Sequence, residues 1–160
     1  MNKLITLFIL ILMSPLLFAC ATTKKDIATL PSFKLAESTL TKRLYVKDTT
    51  AVPIEPTLTF TTEDSEAISY VKLKNLAGEH KLRWDWIGPK GEIYSSSGDY
   101  VLKASKGRYR EEVVAWHKLS IRGAMASPSP GDWQIRIYLD DTLIIQKGFT
   151  IQREKAGEAH

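Results

Sequence analysis

The sequence predicts an all-β domain, an antiparallel β-sandwich of seven to eight short strands, and three observations predict it. Apolar residues recur at every second position in several segments, turn residues separate those segments at short intervals, and no convincing helix longer than two turns can be drawn. At 160 residues with 44% apolar content, the chain has material for one packed core plus appendages.

The elements follow in order. Thr39 to Lys47 sets Leu40, Leu44 and Val46 among polar neighbours. Ala51 to Pro56 carries Pro53 and Pro56, which lack the N–H a central strand needs, so it reads as an edge or entry segment. After a short Leu58 to Phe60 piece, Ala67 to Leu76 sets Ile68 and Tyr70 against Val71 and Leu73. His80 to Ile87 runs through Gly88-Pro89-Lys90-Gly91, a turn sequence, into Glu92 to Ser96. Gly98 to Arg110 reads as a loop, and Arg110 to Ile121 as a long strand. Asp132 to Leu139 places Trp133, Ile135, Ile137 and Leu139 on one face, and Asp140-Asp141 connects it tightly to Thr142 to Ile151. The sandwich is thus expected over residues 39–152, preceded by a tether over 20–38 with a short helical turn near Phe33 to Glu37, and followed by a frayed tail over 153–160.

Strand parity separates core from surface. Leu82, Trp84 and Trp86 share one face while Arg83 and Asp85 share the other, so the paired tryptophans read as core, as does Trp133 among its aliphatics. In the long strand, Val113, Ala115, His117, Leu119 and Ile121 form the apolar set, with His117 as its lone polar member or else marking a bulge. Trp116 then falls on the more polar face, exposed there or covered by the loop before it.

The first twenty residues are of another kind. Lys3 is their only charge, an apolar run extends from Leu4 to Met13, and Leu17-Phe18-Ala19-Cys20 follows a Ser14-Pro15 break. The run is too short to span a bilayer, which takes about 20 apolar residues, and reads as a secretory signal over residues 1–19. Leu17-Phe18-Ala19-Cys20 resembles the bacterial lipobox at all four positions. The resemblance implies a lipoprotein: the Cys20 thiol takes a diacylglyceryl group, cleavage precedes it, and a further acyl chain is added to the new amino terminus. Each buried methylene contributes about 0.8 kcal/mol, so two or three chains anchor firmly. Ala21 stands where an aspartate would signal inner-membrane retention, which implies the outer membrane, facing the periplasm. Cys20 is also the only cysteine, so no intrachain disulfide forms.

A second likeness concerns the domain. Trp84-Asp85-Trp86-Ile87-Gly88-Pro89-Lys90-Gly91, then Pro130-Gly131-Asp132-Trp133-Gln134-Ile135, the Asp140-Asp141 turn and the closing Gly148-Phe149-Thr150-Ile151 resemble the immunoglobulin-like domains of bacterial exported proteins, over about residues 65 to 151. Asp141 departs from the usual glycine of that turn. The resemblance implies a fold and no activity.

The chemistry points away from catalysis. His80, His117 and His160 lack metal-ligand spacing, Ser95-Ser96-Ser97-Gly98-Asp99 lacks the glycine-flanked serine of a nucleophile elbow, and Asp85, Glu92, Asp99, Asp140 and Asp141 are scattered through turns. A net charge of +4 is too small and too dispersed for nucleic acid. Binding is the better expectation. Lys103, Lys106, Arg108 and Arg110, with Tyr100 and Tyr109, form a basic, tyrosine-bearing stretch able to meet headgroup phosphates or an acidic protein, and Trp116 adds a ring suited to a sugar or a docking partner. The expected protein is a lipid-anchored, non-catalytic envelope protein. It needs no cofactor beyond the lipid on Cys20, and its domain contacts another envelope protein or, alternatively, a glycan.

Overall fold

The computed structural model describes residues 33–48, 50–103, 109–123 and 128–154. Ten strands form two sheets: β1 (Lys34–Lys47), β2 (Thr50–Pro56), β3 (Thr59–Thr61), β4 (Glu66–Ala77), β5 (Glu79–Ile87), β6 (Ile93–Ser96), β7 (Tyr100–Lys103), β8 (Tyr109–Ser120), β9 (Gly131–Leu139) and β10 (Thr142–Gln152). One sheet has the order β2-β1-β4-β8, and the other β3-β10-β9-β5-β6, with β7 also pairing β5. The order β1-β4-β8 facing β10-β9-β5-β6 is the A-B-E against G-F-C-C′ arrangement of immunoglobulin sandwiches. All pairings are antiparallel except β3 with β10.

The count exceeds the seven to eight strands expected because short edge pieces also pair. Two of the differences fall where the sequence alternates least. Lys34–Ser38, expected in the tether and partly as a helical turn, is strand paired with Val71–Lys74 of β4. Within the expected Gly98–Arg110 loop, Tyr100–Lys103 is β7, lying against Glu79–Leu82. In both, the backbone groups of a neighbouring strand supply an order that side-chain period did not announce.

The core forms where the parity argument put it. Leu82, Trp84 and Trp86 of β5, Trp133, Ile135, Ile137 and Leu139 of β9, Val71 and Leu73 of β4, and Val113, Leu119 and Ile121 at β8 are all buried in one cluster. Rings bridge the two sheets: Trp84 of β5 stacks on His117 of β8, and Trp86 meets His117 on one side and Phe149 of β10 on the other.

Free edges differ in how they are guarded. β2 ends one sheet with Pro53 and Pro56, β3 has 3 residues, and β6 and β7 have 4 each. β8 is also an edge, has 12 residues without proline or glycine, and pairs β4 along its whole length from Tyr109 to Ser120.

The turn at Asp140-Asp141 holds two non-glycine residues at positive φ, 48° and 62°. Side-chain bonds secure it. Asp140 accepts from the Lys81 backbone N–H at 2.8 Å and from His80 Nδ1 at 2.6 Å, while His80 Nε2 lies 2.8 Å from the Ala77 carbonyl. Both partners of the His80 ring are acceptors, so both ring nitrogens carry hydrogen and the imidazole is held as a cation. Burial alone would lower the His80 pKa, but the bonds to Asp140 and Ala77 and the Asp140 charge outweigh it, and the net shift is upward. For Asp140, burial would raise the pKa, and the bonds from Lys81 and His80 bring it below the ordinary carboxylate value.

The sign for stability follows. A raised His80 pKa stabilises the fold below the ordinary histidine value of 6.5 and is lost as pH climbs through the raised value. Chemical denaturation between about pH 6 and about pH 9 should therefore show a fall in stability toward the alkaline end, and His80→Gln should remove that fall. An identical pH profile for the two proteins would refute a stabilising role for the His80–Asp140 pair.

Candidate functional site

β8 sends alternate side chains to opposite faces, and its core-facing set is Val113, Ala115, His117 and Leu119, as the alternation predicts. His117 is no bulge. It accepts a hydrogen bond at 2.9 Å from Trp86 Nε1 to its Nδ1, and its ring lies 5.9 Å from that of Trp84 at 24°. An accepting Nδ1 requires the neutral Nε2–H tautomer, and burial accordingly lowers the His117 pKa. A polar residue is tolerated in an apolar row because it answers an indole that would otherwise be unpaired.

The tryptophans are not equivalent. Trp133 Nε1 donates to the Ser129 carbonyl at 2.9 Å and Trp86 Nε1 to His117, whereas Trp84 Nε1, fully buried, has no hydrogen-bond partner among the described residues. Trp84 lies at the side of the sandwich where β7 and β8 are both edges. There Trp84, Tyr100, Leu102, Val114, Ala115 and Trp116 line an open, largely apolar groove of about 300 Å³. The bonds between Ser97 and Trp84, Ser97 N–H to the Trp84 carbonyl at 2.9 Å and Trp84 N–H to Ser97 Oγ at 3.0 Å, fix the start of the segment that carries Tyr100. Tyr100 is half exposed and meets Trp84 edge-on at 5.8 Å.

The structure brings some of the expected site residues together. Trp116, on the outer face beside Tyr70 of β4, is half-buried and shares the groove with Tyr100. Lys103 is exposed on β7, paired at 3.2 Å with Glu79, and Arg110 is exposed on β8, lining a separate cavity with Glu112, Val113, Val114 and Thr50. Tyr109 begins β8 opposite Ala77. Lys106, Arg108 and Cys20 lie outside the described residues. Thus Lys103 faces a carboxylate, and the described surface here is mainly aromatic and aliphatic. Leu102 has no signal in the sequence that marks it for this groove, whereas the alternation that sets Val113, Ala115, His117 and Leu119 on one face puts Val114 with Trp116, Lys118 and Ser120 on the other. Among the described residues no three His, Cys, Asp or Glu side chains gather as metal ligands do.

No protein-family model matches this chain, and no curated protein matches it. Among solved structures it is similar to an immunoglobulin-like protein from Pseudomonas aeruginosa, with 12% identity and a TM-score of 0.48 over 78% of this chain and 99% of that one. It is also similar to a CARDB domain from Pyrococcus furiosus, with 13% identity and a TM-score of 0.42 over 78% of this chain and 100% of that one. A third likeness, 9% identical with a TM-score of 0.48, is to the alkylpurine DNA glycosylase AlkC of Pseudomonas fluorescens; it covers 75% of this chain, which spans only 30% of the glycosylase. At these values the likenesses carry nothing about activity.

The unequal indoles give a test. Trp86→Phe removes a donor and leaves the half-buried His117 Nδ1 without its partner, whereas Trp84→Phe removes an N–H that has none among the described residues. Both lose ring volume, so Trp86→Phe should cost about 1 kcal/mol more in urea-induced unfolding. Equal costs would show that the Trp86–His117 bond contributes nothing net.

Proposed function

We propose that this chain is a lipid-anchored, non-catalytic envelope protein whose immunoglobulin-like sandwich makes protein–protein contacts as an accessory or assembly subunit. One observation carries the reading: along β8, a 12-residue edge with no strand on its outer side among the described residues adjoins an apolar groove lined by Trp84, Tyr100, Leu102, Val114 and Trp116. An open edge offers main-chain donors and acceptors in a row, and a groove beside it takes the side chains of whatever joins, the two requirements of strand addition. The membrane part rests on Leu17-Phe18-Ala19-Cys20: the lipid is placed on Cys20, and Ala21 directs the protein to the outer membrane, facing the periplasm.

The glycan alternative draws on Trp116 and Tyr100 sharing one groove. It requires a flat ring face open to a sugar, whereas Trp116 is half-buried and Trp84 fully so, which favours the protein reading.

Two measurements test the proposal. Fatty-acid labelling of cells should mark the wild type in the membrane fraction and leave Cys20→Ser unlabelled; labelling of both, or neither, would sink the anchor. A photo-crosslinking residue at Tyr100 or Val114 should trap a polypeptide in the envelope, with no adduct from the same residue at exposed Gln146 on β10. Quenching of tryptophan fluorescence by envelope glycans, abolished by Trp116→Ala and accompanied by no polypeptide adduct, would favour the alternative.

A further inference from the structure

We infer that the strand received by β8 is β8 of a second copy, joined antiparallel about a two-fold axis at Ala115. This rests on the reading of β8 as a contact surface and names its occupant. Of the two outermost strands of its sheet, β2 carries two prolines whereas β8 has 12 residues without proline or glycine, and the β8 centre, Val113-Val114-Ala115-Trp116, is uncharged.

Its charges are arranged for its own reverse. On the outward-facing positions of β8, Glu112 lies three residues before Ala115 and Lys118 three residues after it. A two-fold axis perpendicular to the sheet at Ala115 keeps both sandwiches on the same side and opposes Glu112 to Lys118 of the partner subunit, twice over. The same axis opposes Val114 to Trp116 of the partner subunit, again twice, and Ala115, small and half-buried, to itself. Neighbouring registers fail. An axis at Val114 brings Arg110 opposite Lys118 of the partner subunit, and an axis at Trp116 leaves Glu112 and Lys118 opposite uncharged residues. Within the chain Glu112 meets Lys72 at 3.4 Å and Lys118 meets Glu66 at 3.0 Å, but the Glu112 and Lys118 side chains are about half exposed and keep donors and acceptors to spare. The incoming strand, about 4.8 Å from β8, lies at the mouth of the groove and covers its apolar lining. The result is one eight-stranded sheet of order β2-β1-β4-β8-β8-β4-β1-β2.

Sedimentation of the full chain carrying Cys20→Ser, in mild detergent, should show a concentration-dependent dimer. Glu112→Lys and Lys118→Glu should each raise the dimer dissociation constant roughly tenfold, and E112K/K118E together should restore it. The in-chain pairs lost are exposed and contribute little to folding, which circular dichroism checks. Independently of those variants, oxidation of Ala115→Cys should yield a disulfide-linked dimer, and Arg110→Cys should not. A wild type that stays monomeric, a double swap no better than either single, or equal linking at both cysteine positions would overturn the inference. A monomer whose Val114 probe still traps a different polypeptide would overturn self-pairing and leave the contact surface standing, whereas loss of both would remove the surface as well.

Discussion

The sandwich turns on a half-buried imidazole. His117 comes from one sheet, Trp84 and Trp86 from the other, and the histidine ring stacks on the first indole while accepting the N–H of the second. Hydrophobic burial alone would hold two sheets together without fixing their relative position, because it has no direction. The bond at 2.9 Å is directional, and it aligns β8 with β5 to within the tolerance of a hydrogen bond. Within the β3-β10-β9-β5-β6 sheet the rings continue the contact: Phe149 meets Trp86 edge-on, Phe60 meets Phe149 likewise, and Tyr94 packs edge-on against Trp133. Trp84, stacked on the same imidazole, also lines the groove between β7 and β8.

How much of this could be read in the sequence depends on the kind of interaction. Burial of Leu82, Trp84, Trp86, Trp133, Ile135 and Ile137 was legible because alternation is a local property, and a strand has only two faces. His117 was legible as an anomaly in an apolar row; its cause, an indole 31 residues away, was not. The His80–Asp140 pair joins residues 60 apart, and nothing local to either residue announces the other. β7 and the start of β1 were missed for a related reason: Lys34–Ser38 and Tyr100–Lys103 have little alternation, and it is a neighbour's unpaired backbone that makes them strands.

The candidate site shows the same limit in another form. Counted along the chain, Lys103, Lys106, Arg108 and Arg110 form a basic run, and charge counting suggested an anionic partner. In the fold Lys103 is answered by Glu79, while Arg110 lines a cavity beside Glu112, whose carboxylate meets Lys72. What the fold gathers instead is the apolar lining of Tyr100, Leu102, Val114 and Trp116, contributed by two strands that do not pair with each other. Trp116 takes the outward face that strand parity predicts, yet its groove neighbours Tyr100 and Leu102 come from β7, and nothing local to either segment places the two together.

The prolines of β2 have a consequence beyond that strand. Pro53 and Pro56 stand opposite Leu44 and Thr41, and Glu55 between them has a φ of 60°, so this rim combines two residues without an N–H with a break in extended backbone. A further strand arriving there would meet an interrupted ladder. If this sheet takes up a strand at β8, the β2 rim does not pass the ladder on, so growth of this sheet is one-sided and association through it ends at a finite complex.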